Sequence, residues 1–165
     1  MRARFPVVAA VLLVIATASP ASAQFAATKQ DEAPDALLGT WKLNVAKSKY
    51  SPGPAMRGET RVYTRGAEGV TGVVSRTYGD GEMERYEYIA NFGGEYMVTG
   101  NPAYDAVKLR RVDELASEAI LSHAGMIYGV ARRVISADGK SMTITFDRKD
   151  KDTPIHNVAV YDKVP

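Results

Sequence analysis

The chain contains no cysteine, only two histidines and a single tryptophan among its 165 residues. Without cysteine it can form no disulfide, and two histidines alone give no recognisable spacing of metal ligands. The sequence also has no phosphate-binding loop, no dinucleotide-binding fingerprint and no Gly-x-Ser-x-Gly motif. It therefore offers no candidate catalytic residue, no metal site and no cofactor site of a familiar kind.

A long apolar run lies at the N-terminus. Two arginines precede a stretch of about 12 apolar residues, 7–18, which is too short to span a bilayer comfortably. An Ala-Ser-Ala sequence ends at residue 23 and has the small residues of a cleavage site. We therefore predict a signal peptide over residues 1–23, a processed chain that begins at Gln24, and a periplasmic or secreted protein. The alternative is an uncleaved membrane anchor.

Outside that segment the charges balance, with 19 basic and 19 acidic residues. Such a balance gives no electrostatic footprint for nucleic acid or for an anionic membrane surface. Residues 24–36 are polar, rich in alanine and contain Pro34, so we predict a flexible leader there. Residues 37–165 have a length that suits one domain. We expect no integral membrane span after signal cleavage.

The only tryptophan lies in the sequence Leu-Gly-Thr-Trp-Lys-Leu-Asn-Val, residues 38–45. In an extended strand Trp41, Leu43 and Val45 would share one face, and the polar residues between them the other. This pattern predicts a strand over residues 38–46. Trp41 is predicted to be structural, with its ring buried.

Downstream, turn signals recur every 8 to 12 residues, with Gly-Asp-Gly at 79–81 and Ala-Asp-Gly at 137–139 as examples. The segments between them alternate polar and apolar residues, and none shows helical periodicity. Nine further strands are therefore predicted, at residues 59–65, 70–78, 82–90, 95–99, 106–112, 115–122, 126–136, 140–147 and 155–163. Residues 47–58, with two prolines, form a long connection that could cover one end of the fold.

This order predicts an all-β domain with a single antiparallel up-and-down β-barrel of 8–10 strands, because closure removes the edges of a sheet of that size. A membrane-spanning barrel is the competing interpretation, and it needs an apolar outer band. The strands at 82–90 and 106–112 carry charged residues on both faces, which favours a soluble barrel.

Residues 38–43, Leu-Gly-Thr-Trp-Lys-Leu, resemble the first-strand motif of the calycins, which include lipocalins and fatty-acid-binding proteins. The final residues 158–164 resemble the last strand of fatty-acid-binding proteins. The resemblance implies that Gly39 and Trp41 are structural residues of a barrel, with the tryptophan across its closed end. It also implies a late-strand arginine stacked on the tryptophan, for which Arg111 and Arg133 are candidates. The second lipocalin motif is absent, and the proline-containing segment 47–58 cannot hold the helix pair of fatty-acid-binding proteins.

Nine tyrosines and several methionines suit an adaptable pocket of mixed polarity. We therefore predict a binding protein for a small, largely apolar or amphipathic molecule rather than an enzyme. The candidate lining residues are Tyr86, Tyr88, Met97, Tyr128 and Tyr161.

Two alternatives remain open at this point. Nitrobindin-like barrels also begin with Gly-Thr-Trp and bind haem through a histidine on the last strand, so the resemblance implies His156 as a haem ligand in a haem-binding or enzymatic barrel. The other alternative is an envelope protein without a cavity that binds another protein.

Overall fold

The computed structural model describes residues 35–53, 55–149 and 153–165. The predicted signal peptide and nearly all of the predicted leader lie outside these residues. The described part has eleven strands and two single 3-10 turns, at Asp35–Leu37 and Val45–Lys47. The strands are β1 Gly39–Leu43, β2 Lys49–Ser51, β3 Met56–Gly66, β4 Gly69–Tyr78, β5 Met83–Ala90, β6 Glu95–Thr99, β7 Ala106–Arg111, β8 Ala116–His123, β9 Met126–Ile135, β10 Ser141–Arg148 and β11 Ile155–Val164.

Ten of the strands form one closed, antiparallel, up-and-down barrel. From β3 to β11 each strand pairs with the next along the chain, and β1 closes the ring by pairing with both β3 and β11. All ten predicted strands are present within a few residues of their predicted ends, so the predicted fold class is confirmed. Among the described residues no helix is long and apolar enough to cross a membrane.

The seam between the first and last strands has two parts. β1 pairs with the C-terminal half of β11, with Thr40 opposite Val164 and Leu43 opposite Tyr161. β2 then pairs with the other half of β11, with Lys49 opposite Val158. This short strand was not predicted, since it lies beside Pro52 in a segment interpreted as a connection. It covers backbone groups of β11 that β1 is too short to reach.

The first strand is shorter than predicted. Asn44 ends it by accepting a hydrogen bond from the Lys47 amide at 3.1 Å through its side-chain oxygen, which starts a 3-10 turn. Val45 lies in that turn and is 45% exposed. The prediction that Val45 shares the buried face of Trp41 and Leu43 is therefore wrong, because the chain leaves the extended conformation after Leu43.

Trp41 is fully buried, as predicted. Its indole Nε1 donates a hydrogen bond to the Leu37 carbonyl at 2.7 Å, and the Lys163 ammonium lies 5.1 Å from the ring centre. The cation on Trp41 is thus a lysine of β11, and the prediction of an arginine is wrong. Arg111 lies over Phe92 at 5.0 Å, and Arg133 lies over Tyr63 at 5.3 Å.

Gly39 begins β1 with a φ of 111°, a conformation that side chains rarely adopt. A Cβ atom there would also lie 3.3 Å from the Lys163 side chain. The glycine therefore lets the chain turn into the strand directly beneath the lysine that covers Trp41.

The alternation of buried and exposed residues predicted for the strands is present. On β10 Met142 is fully buried, and Ile144 and Phe146 follow it on the inner face. Trp41, Leu43, Phe92, Leu109 and Ile135 belong to the same apolar core as Met142.

Trp41→Ala is expected to lower the free energy of unfolding by about 3–5 kcal/mol, because it removes a large buried ring and leaves a cavity. Urea unfolding followed by circular dichroism measures this change. Lys42→Ala, on the exposed face of the same strand, is the matched control and should change stability little. Equal stability of the two variants would contradict the structural role of Trp41.

Candidate ligand-binding cavity

The barrel encloses a cavity of about 380 Å³. Its walls come from the inner faces of the strands, and residues of two connections also line it, among them Pro52, Gly53, Pro102 and Ala103. Eight of the nine tyrosines face it: Tyr50, Tyr63, Tyr78, Tyr86, Tyr88, Tyr104, Tyr128 and Tyr161. The predicted connection 47–58 therefore does contribute to one wall of the interior.

Small residues make room for this interior. A Cβ atom on Gly72 would lie 2.7 Å from the Tyr88 ring, and one on Gly129 would lie 2.6 Å from the Phe146 ring. These glycines let two aromatic rings lie against the neighbouring strand backbone instead of filling the centre. Ala119 and Ala131, which face each other across β8 and β9, also leave the centre open.

Charged residues line one side of the cavity, although charge is unusual inside a barrel. The Glu59 carboxylate has a side-chain exposure of 0% and contacts two guanidiniums. Arg61 donates a short hydrogen bond to Glu59 Oε1, and Arg76 Nε lies 2.9 Å from Oε2, off the hydrogen-bonding direction. Tyr161 on β11 donates a hydrogen bond to Oε1 at 2.6 Å. Three groups, each on a different strand, thus meet at one carboxylate.

A second carboxylate extends this cluster along β5. Tyr78 donates a hydrogen bond to Glu84 Oε2 at 2.6 Å, and Arg76 Nη1 lies 3.6 Å from the same oxygen. Arg76 Nη2 also donates a hydrogen bond to the Tyr86 hydroxyl at 2.6 Å. We call Glu59, Arg61, Arg76 and Glu84 the buried charge cluster. In it two acids and two bases pair with one another.

The ionisation of Glu59 follows from these contacts. Burial acts to raise the pKa of Glu59, but the charges of Arg61 and Arg76 and the Tyr161 hydrogen bond outweigh it, so its pKa lies below the ordinary 4.5. The carboxylate is therefore ionised at neutral pH and keeps both guanidiniums paired.

Most of the lining tyrosines remain neutral hydrogen-bonding groups. Burial raises the pKa of Tyr50 to about 12, and it raises the pKa values of Tyr88, Tyr104 and Tyr161 well above 10. Tyr63 differs: burial acts to raise its pKa, but the nearby guanidiniums of Arg61 and Arg133 outweigh burial and lower it below 10. The guanidiniums of Arg61 and Arg133 therefore lie close enough to Tyr63 to favour its ionised form.

Aromatic rings form a continuous surface along the cavity. Tyr86 meets Tyr104 edge to face with ring centres 5.8 Å apart, Tyr104 lies 6.0 Å from Tyr128, and Tyr128 stacks on Phe146 at 6.0 Å. We call these four residues the aromatic wall. Three of its four rings carry a hydroxyl group, and the ring faces form a surface on which an apolar chain or ring can lie.

Four of the five predicted lining residues face this cavity, namely Tyr86, Tyr88, Tyr128 and Tyr161. Met97 does not. Its neighbours Tyr96 and Val98 point inward, so strand alternation turns Met97 to the outer face, where it is 70% exposed. The prediction of Met97 as a lining residue is wrong, because the sequence of this short strand did not reveal which face is buried.

Sequence reasoning missed the charged residues of the interior. Glu59, Arg61 and Tyr63 alternate along β3 with Thr60 and Val62, so charges share a face with a buried tyrosine. That period-2 pattern was the available signal for these inward charges.

His156 lies between the inward residues Ile155 and Asn157, so its ring points outward. Its side chain is 62% exposed, and Nδ1 lies 2.7 Å from an Asp147 carboxylate oxygen. The predicted alternative of His156 as a haem ligand inside the barrel is therefore wrong. Among the residues that the structure describes, no group of three or more potential metal ligands is present.

Glu59→Gln is expected to destabilise the protein by about 3–5 kcal/mol at neutral pH, because it leaves two buried guanidiniums without their carboxylate. The pKa of Glu59 is lower in the folded than in the unfolded chain. The ionised carboxylate therefore stabilises the fold above about pH 4.5, and this stabilisation is lost as the pH falls through the pKa of the folded state. Urea unfolding at several pH values should therefore show that the difference in the free energy of unfolding between wild type and variant becomes smaller in acid.

Glu87→Gln is the matched control, since Glu87 lies on the exposed face of β5. It should cost little stability at any pH. If the free energies of unfolding of wild type and Glu59→Gln differ by the same amount from neutral to acidic pH, the ionised, paired state of Glu59 is contradicted.

Comparison with protein-family models, with curated proteins and with solved structures finds no match for this chain. The closed ten-stranded antiparallel barrel is consistent with the calycin-like architecture suggested by its opening strand. The interpretation of the cavity therefore depends on its own geometry.

Proposed function

We propose that this chain is an exported, lipocalin-like binding protein that holds a small, largely apolar molecule inside its barrel. The single observation that carries the proposal is the cavity of about 380 Å³. Pockets for small molecules begin at roughly 300 Å³, and most of their lining is apolar and aromatic with a few polar groups at fixed positions. The lining described above has that composition.

The distribution of polarity supports an apolar body for the ligand. The aromatic wall and the neighbouring side chains of Ile144, Leu121 and Val107 offer apolar surface, and each buried CH₂ group of a ligand gains about 0.8 kcal/mol. Glu59 and Glu84 are already paired with arginines, so they make no strong demand for a cation from the ligand. The tyrosine hydroxyls supply hydrogen bonds.

The other functions considered from the sequence have less support. A protein-binding barrel without a cavity requires an interior filled by side chains, and a haem-binding barrel requires a ligand such as an inward histidine. No nucleophile with an adjacent base is found among the described cavity residues, which leaves binding as the best-supported function.

The protein is expected to bind an environment-sensitive apolar dye, or 1-decanol in competition with it, at micromolar concentration, which corresponds to about −8 kcal/mol. Ala119→Phe should abolish binding, because the larger side chain occupies the cavity while the apolar character of the site is kept. Dye fluorescence with competition measures both affinities.

Two further variants separate the cavity from the outer surface. Tyr88→Asp introduces a charge into the cavity lining and should weaken binding strongly, whereas Met97→Asp introduces the same charge on the outer face and should not. Circular dichroism of each variant checks that the barrel is intact. Equal binding by wild type and Ala119→Phe would contradict the proposal.

The export part of the proposal depends on the N-terminal segment and has its own test. When the full chain is produced in a bacterium, N-terminal sequencing of the protein recovered from the periplasm should begin at Gln24. An intact chain that begins at Met1 and is recovered in the membrane fraction would contradict cleavage.

A further inference from the structure

The charges that line the cavity do not balance. Two acids, Glu59 and Glu84, face three arginines, Arg61, Arg76 and Arg133. The acids are engaged by Arg61 and Arg76, as described above. Arg133 is the remaining cation, and within the described residues it has no carboxylate partner.

The surroundings of Arg133 fix its guanidinium in place. Arg133 Nε donates a hydrogen bond to the hydroxyl of Ser117 at 3.1 Å, and its guanidinium carbon lies 5.3 Å from the centre of the Tyr63 ring. Both partners are buried. Ser117 and Tyr63 therefore hold the side chain on the inner face of β9, although neither neutralises its charge.

This arrangement leaves one edge of the guanidinium available. Nε is used by Ser117, and the described residues provide no hydrogen-bond acceptor for the two Nη groups. Those two nitrogens carry N–H bonds that can meet the two oxygens of a single carboxylate. A cation in a partly buried, low-dielectric site is costly until an anion joins it, so the cavity favours an anion at this point.

The apolar surface begins next to this position. Ala131 lies opposite Phe146 in the pairing of β9 with β10, and Arg133 lies opposite Ile144. All four residues line the cavity. A molecule with its charged end at Arg133 can therefore extend over Ala131 towards Phe146 and Tyr128 of the aromatic wall.

We infer that Arg133 is the binding residue for an anionic head group, and that the ligand of this cavity is a carboxylate with an apolar tail. This inference rests on the proposed function, because it names the class of molecule that the cavity holds. The lowering of the Tyr63 pKa by the neighbouring Arg133 guanidinium is consistent with it.

The test compares three probes with the same alkyl chain: decanoate, 1-decanol and decylammonium. Near neutral pH and at constant salt, the wild-type protein should bind decanoate about tenfold or more tightly than 1-decanol, and decylammonium most weakly. In Arg133→Met the affinity for decanoate should fall to that for 1-decanol, and the affinity for 1-decanol should stay unchanged.

Arg132→Met is the matched control. Arg132 precedes Arg133 in β9 and is exposed on the outer face, so this variant loses the same charge without changing the cavity. It should keep the preference for decanoate. Arg133→Lys provides a second variant of the site. It keeps the charge but lacks the planar guanidinium, so it should retain part of the preference for decanoate over 1-decanol. This variant still tests the inference if Arg133→Met fails to fold.

The outcomes separate this inference from the proposed function. If wild type binds 1-decanol but binds decanoate no more tightly, the inference is overturned and the proposed function is kept. If Arg133→Met retains the preference, the carboxylate is bound elsewhere and the inference is overturned as well. If no probe binds, 1-decanol included, both fail.

Discussion

The contact of the Glu59 carboxylate with the guanidiniums of Arg61 and Arg76 determines what the interior of this barrel can be. A lone buried ion would be too costly, whereas an ionised acid between two bases is stable when its remaining hydrogen bonds are also made. Tyr161 makes one of them from β11, so the cluster also connects strands on both sides of β1. The aromatic wall begins directly beside this cluster, because Arg76 donates a hydrogen bond to the Tyr86 hydroxyl and lies 4.9 Å from the centre of the Tyr86 ring.

Arg133 differs from the other arginines that line the cavity in the contacts that it makes. Arginines at two other inner positions are neutralised by the protein itself, and this one is held by a hydroxyl and a ring that carry no full charge. An inner cation that no carboxylate of the protein pairs with is a common mark of a functional position. In a barrel that held no ligand, the unpaired charge of Arg133 would only lower the stability of the fold.

Much of the fold was accessible from the sequence, and the reason is physical. Turn residues and period-2 alternation are local properties, so they located ten strands and the buried Trp41. Which face of a short strand points inward depends on its neighbours, so Met97 was assigned to the wrong side. The charges inside the barrel were missed because only the folded structure brings Glu59 beside Arg76. β2 was missed because its partner lies about a hundred residues further along the chain.

The large separation along the chain between the strands that close the barrel affects how the protein folds. The ring closes only when Thr40 on the first strand meets Val164 on the last strand, so the closing pairing joins the two ends of the barrel. Pairings of such high contact order are slow to form, because the loop entropy is lost before the contacts compensate it. The hairpins from β3 to β10 can assemble in sequence, but they remain an open sheet until the C-terminal strand arrives. The cavity, and any ligand affinity that depends on it, therefore forms only in the last step of folding.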